Sequence, residues 1–114
     1  MADTYDWIGA TGARYTYEVY PNPHNFNPNQ FGNYIYAKKS SEGGWIPIYI
    51  GEGELAGRCC EQHHKATCIA AKGATHVHAR LNGTENGRNA EEADLLVGNP
   101  AAYSPDGCNE KILG

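Results

Sequence analysis

At 114 residues and 12.4 kDa the chain fits one domain, long enough to bury roughly two-thirds of its unfolded surface without staples. Hydrophobic residues at 40%, charged residues at 19% and a mean hydropathy of -0.61 exclude a disordered chain, and no run approaches the ~20 apolar residues that span a bilayer. Nine Lys+Arg against thirteen Asp+Glu give a net charge of -4, which argues against tight, sequence-blind DNA binding over the whole surface.

The charge is uneven. Residues 1–31 carry one base and three acids, residues 32–81 six bases and four acids, and residues 82–114 two bases and six acids, so a phosphate contact is expected in the middle third. The first residues, Met1-Ala2-Asp3-Thr4-Tyr5-Asp6, lack the basic and apolar regions of a signal peptide, and a cytoplasmic location with no membrane partner is expected. Cys59 and Cys60 are adjacent and cannot readily bridge each other, and with Cys68 and Cys108 in a reducing compartment no disulfide is expected.

Residues 1–13 show no period and read as an arm. Arg14–Tyr20 alternates, with Tyr15, Tyr17 and Val19 on one side, and predicts a strand. The run from Pro21 to Asn29, crowded with Pro and Asn, is a loop. Asn33–Lys39 and Trp45–Ile50 are strands rich in aromatic and β-branched residues, joined through Ser40–Gly44 as a hairpin, with Pro47 marking an edge or a kink. From Glu54 a helical period carries Leu55, Cys59 and then His63 or Ala66, ending by Lys72-Gly73. Thr75–Leu81 alternates again, with His76, His78 and Arg80 on a face that is either wet or meets phosphates. Asn89–Gly98 reads as a short helix stopped by Gly98 and Pro100. The expectation is an α+β domain: a small, mainly antiparallel β-sheet flanked by helices, with an extra N-terminal strand. Residues 1–31 form the extension and residues 32–114 the main body of a single compact domain.

Gly32-Asn33-Tyr34 opens the first hairpin strand and Tyr49-Ile50-Gly51 closes the second. Arg58 lies on the following helix, and Glu92-Ala93-Asp94-Leu95-Leu96 lies on the last, with Asn99-Pro100 and Asn109 behind it. In this order, over about residues 32–109, the set resembles the GIY-YIG nuclease superfamily. The resemblance implies phosphodiester hydrolysis in DNA with one divalent metal, Mg²⁺ or Mn²⁺, by a protein acting alone, as a homodimer or with a protein partner. Glu92 corresponds to the metal-binding carboxylate, preferred over its neighbour Glu91, and Arg58 to the cation on the scissile phosphate. Tyr34 and Tyr49 correspond to the two tyrosines, one a general base and the other orienting water, with Tyr34 preferred as base. Members commonly carry His or Tyr four residues past the Arg. Here Gln62 stands there, and His63 substitutes only if the helix is wound differently. The terminal Asn falls on Tyr103 unless Asn109 takes the role after an insertion, Ala101–Asp106.

Two readings compete. The same scaffold with a weakened site would be a non-enzymatic binding module for nucleic acid or a protein, which the acidic balance favours. Alternatively Cys59–His63, Cys60–His64 and His64–Cys68, at helical i, i+4 spacing, could bind zinc, completed by His76, His78 or Cys108.

Overall fold

The computed structural model describes residues 3–111. Five strands, β1 (Asp3–Ile8), β2 (Arg14–Pro21), β3 (Phe31–Lys39), β4 (Trp45–Glu54) and β5 (His76–Leu81), form one sheet in the order β1-β2-β5-β3-β4. Every neighbouring pair is antiparallel. Helices α1 (Leu55–Arg58) and α2 (Ala66–Ala71) lie between β4 and β5 in sequence. Helix α3 (Glu85–Gly98) follows β5, and a 3₁₀ turn covers Pro100–Ala102. Among the described residues no helix is long and apolar enough to cross a membrane.

The expected α+β class with an antiparallel sheet and flanking helices is present. β3, with strands on both sides and cover on both faces, is buried from Gly32 to Ala37, as a central strand should be. Its alternation divides the core. Tyr34 and Tyr36 pack with Leu55, Cys59 and Ile69 on the face covered by α1 and α2. Ile35 and Ala37 pack with Tyr17, Trp7 and Leu95 on the face covered by α3.

Four expectations need correction. Residues 3–8 are not an arm but a strand, with Trp7 buried and Tyr5 beside it; the turn to β2 places Gly12 at φ 86°. The helix expected from Glu54 to Lys72 is interrupted: only α1 and α2 are helical, and residues 59–65 form turns between them. His76, His78 and Arg80 do not make a wet face. β5 lies between β2 and β3, His78 is wholly buried with its Nδ1 accepting from the Trp7 indole at 2.9 Å, and Arg80 pairs with Glu91. Finally, Cys68 and Cys108 are joined by a disulfide, while Cys59 and Cys60 are free.

Pro47 does sit in an edge strand. The register with β3 slips there, from Tyr36↔Tyr49 to Ala37↔Pro47, leaving Ile48 as an extra residue turned into the core with Tyr36. The last helix starts earlier than its pattern suggested. Thr84, well ahead of Asn89, caps it by accepting the Gly87 N–H.

Candidate active site

Tyr34 and Tyr49 come from adjacent strands, on the sheet face that carries α1. Their rings lie 6.1 Å apart and nearly parallel, at 24°. Gly51 makes this arrangement possible: it pairs with Tyr34 across the ladder, and a Cβ there would stand 2.5 Å from the Tyr34 hydroxyl. Gly32 serves the strand behind. A Cβ on it would meet the Arg80 carbonyl oxygen at 2.2 Å, so only glycine lets β5 approach β3 at this point. The two glycines of the sequence pattern are thus packing requirements of the site.

His63 lies where α1 has given way to turns. Its Nε2 is 2.7 Å from the Tyr34 hydroxyl, and its Nδ1 accepts the Lys65 backbone N–H at 2.9 Å. Burial holds this imidazole down to about 4, with His64 and Arg58 adding to the effect, so it is neutral near pH 7. With Nδ1 occupied as an acceptor, the ring proton must sit on Nε2, and His63 donates to the Tyr34 oxygen. His64 stacks on His63 at 4.6 Å and places its own Nε2 3.4 Å from the Tyr49 hydroxyl. Each tyrosine hydroxyl is therefore within reach of one histidine of the vicinal pair, and the Tyr49 ring also packs edge-on against His63 at 4.8 Å.

Burial raises the Tyr34 phenol well above its ordinary value, and Tyr49 above its own by the same cause. In Tyr49 the Glu92 carboxylate adds to that rise, and in both the Arg58 guanidinium opposes it. Arg58 is exposed and makes no ion pair or hydrogen bond among the described residues; its side chain crosses Gly53, where a Cβ would come within 2.9 Å of Nε. Glu92, on α3, is held above the carboxylate range by burial and by Glu52, while Arg58 pulls it down. Tyr34, Tyr49, His63, Arg58 and Glu92, drawn from five segments, thus share one electrostatic neighbourhood.

Glu91 belongs elsewhere. It is buried, receives the Tyr17 hydroxyl at 2.5 Å, pairs with Arg80 and accepts from Asn82, locking α3 to β2 and β5. Asn109 is not aimed into the cluster. Its Oδ1 accepts the Ile50 N–H at 2.8 Å and its Nδ2 donates to the Ile50 carbonyl at 2.9 Å, so its amide imitates a strand partner along the free edge of β4, beside Tyr49. Gln62 is exposed.

Glu52 was not singled out by sequence. It follows Gly51 on β4, close enough to Glu92 to raise it, and one of its oxygens accepts from buried Arg88 at 3.2 Å. The signal was available only in the register, which sets Glu52 opposite Asn33 at the end of β3 that bears Tyr34.

The donor set is all oxygen. Two carboxylates that repel each other would be relieved by a hard divalent cation whose remaining positions are filled by water and phosphate oxygens. No group of three or more His, Cys, Asp or Glu among the described residues is arranged to hold a metal. The zinc reading loses two donors to the Cys68–Cys108 bond and its helical spacing to the turns at residues 59–65. Comparison with protein-family models, with curated proteins and with solved structures finds no match to this chain.

Proposed function

We propose that the protein is a metal-dependent endonuclease of the GIY-YIG kind, hydrolysing phosphodiester bonds in DNA. The observation that carries this reading is that the Arg58 charge acts on Tyr34, Tyr49 and Glu92 alike while its side chain pairs with none of the described residues. A guanidinium so placed, beside two phenols and a desolvated carboxylate, is suited to planar, two-pronged recognition of phosphate oxygens.

Arg58 receives the scissile phosphate and orients it. Tyr34, as its phenolate, is the general base that takes a proton from the attacking water, and His63 supports it by donating to the oxygen that carries the phenolate charge. Tyr49, less buried and facing His64, orients the water. Glu92, with Glu52 beside it, would hold Mg²⁺ or Mn²⁺, and Arg88 keeps Glu52 in place. When bound, such a cation supplies polarisation of the phosphate and neutralisation of the departing oxygen.

The test is incubation with supercoiled plasmid and labelled branched DNA at low salt, with Mg²⁺, Mn²⁺ or EDTA, beside Glu92→Ala. We expect metal-dependent cleavage by the parent and a loss of about 100-fold or more in the variant, with the fold kept, because removing a desolvated carboxylate that faces Glu52 costs the core nothing. Equal cleavage by both proteins would remove the reading. A DNA band shift without cleavage would replace it with the binding-module reading, which the net charge of -4 favours.

A further inference from the structure

One strand step beyond the Tyr34–His63 pair lies a cavity of about 680 Å³ that the proposed chemistry does not use. Its floor is Tyr36, two residues along β3 from Tyr34 on the same face, or about 7 Å. His63 is shared between the two sites. One wall is apolar, built from Ala66, Ile69, Ala70 and Ala74 around α2. The Pro-rich loop also lines it, with Asn22, His24 and Asn25; His24 is stacked on Tyr20 at 3.9 Å and braced by Phe26 at 4.6 Å.

Charge decides what this cavity can take. Among the described residues its one formally charged lining group is the Glu61 carboxylate, and no Lys or Arg lines it. A phosphate would be repelled there. A neutral ring with hydrogen-bonding edges is favoured: apolar and aromatic walls cover its faces, while amide and carboxylate groups at the rim meet its edge. Asparagine side chains suit adenine, and a carboxylate accepts from the exocyclic amine of cytosine or adenine. The step from Tyr34 to Tyr36 is comparable with the reach from a backbone phosphate to its own base.

We infer that this cavity is a receptor for an unpaired nucleobase, single-stranded or turned out of a duplex, belonging to the nucleotide next to the phosphate held at Arg58. The placement next to the scissile phosphate rests on the nuclease reading; the binding of a base does not. The paired bases of an intact duplex are excluded, because their edges and faces are already occupied.

The test uses the full chain with ¹³C-labelled alanine methyls, titrated by NMR with the four deoxynucleosides in the absence of metal. Benzyl alcohol and deoxyribose 5-phosphate serve as controls. Saturable shifts of the Ala66, Ala70 and Ala74 methyls are expected with the amino-bearing nucleosides, at affinities about tenfold above either control. Ala70 is exposed, so Ala70→Trp should fill the mouth and abolish the shifts while the rest of the spectrum is kept. Should that variant unfold, Glu61→Gln decides: affinity for deoxycytidine and deoxyadenosine falls about tenfold while thymidine is unmoved. No shift up to the solubility limit, an equal response to benzyl alcohol, unchanged shifts in folded Ala70→Trp, or no selective loss in Glu61→Gln would overturn the inference. Nucleosides bound while DNA stays uncut in every metal would remove the nuclease reading and leave the base receptor. DNA cut with no nucleoside shift would do the reverse.

Discussion

His63 sets the chemistry of Tyr34 through a backbone contact two residues away. The Lys65 N–H occupies Nδ1, so the ring can only donate to the phenol oxygen, and it stays neutral because burial holds it down to about 4. A phenol raised by burial is a strong base but a scarce one at neutral pH. The cleavage rate should therefore climb with pH from neutrality into the alkaline range, by about tenfold per unit where Tyr34 alone limits it. Tyr34→Phe should be slower by about 100-fold or more and lose that slope. A parent profile already flat at pH 7 would exclude Tyr34 as the base. The same imidazole bears on folding. His63 and His78 are both held down to about 4 from 6.5 by burial, so between those values the unfolded chain binds protons that the folded chain refuses. Their stability contribution is complete above about 6.5 and drains as pH falls toward 4, at about 1.4 kcal/mol per unit for each. Urea unfolding at pH 7, 6 and 5 would measure it, and a midpoint unchanged across that range would contradict it.

The elements show what the sequence could and could not disclose. β2 and β5 are legible by alternation, β3 and β4 by their aromatic and β-branched residues, with turn residues between them. β1 was hidden by its two aspartates and by having only Tyr5 and Trp7 to bury. The pattern reads as one continuous helix because Leu55, Cys59 and Ile69 all face the core whether or not the chain between them is helical. Leu55–Arg58 and Ala66–Ala71 carry good helix formers, Leu, Ala and Arg in the first and three Ala in the second, while the run between them holds two Cys and two His. That break has a consequence for the site. Counting four residues from Arg58 along a helix reaches Gln62, and leaving the helix brings His63 to Tyr34 instead. Asn109 was legible as a candidate by its place in the pattern, but its task lies in the ladder. Asn109→Ala should cost about 2 kcal/mol by stripping two hydrogen bonds from the edge of β4, and should lower cleavage through misplacement of Tyr49. A variant equally stable and equally active would show that the clamp is dispensable.

Across the whole molecule, the N-terminal extension is not an appendage. β2 pairs with β5 from Glu18↔Ala79 to Pro21↔His76, and Tyr17 reaches Glu91 on α3, so β1 and β2 complete the sheet that presents the candidate site. The Cys68–Cys108 bond ties α2 to the segment that clamps β4, across a sequence separation of 40. Closing a loop of that size restricts the unfolded chain by an entropy worth about 4 kcal/mol. Cys68→Ser/Cys108→Ser should therefore lose several kcal/mol in urea unfolding, and so should the parent under strong reductant; equal stability with and without the bond would show that it carries no such constraint. The bond also makes a covalent ring of residues 68–108, and β5, which stands third in the sheet, lies inside it together with α3. A single nick anywhere in the ring, at Lys72, Arg80 or Arg88 for instance, opens the backbone without releasing a piece. The strand that joins the N-terminal hairpin to the two tyrosine strands stays tethered on both sides of the cut until the sulfurs are parted.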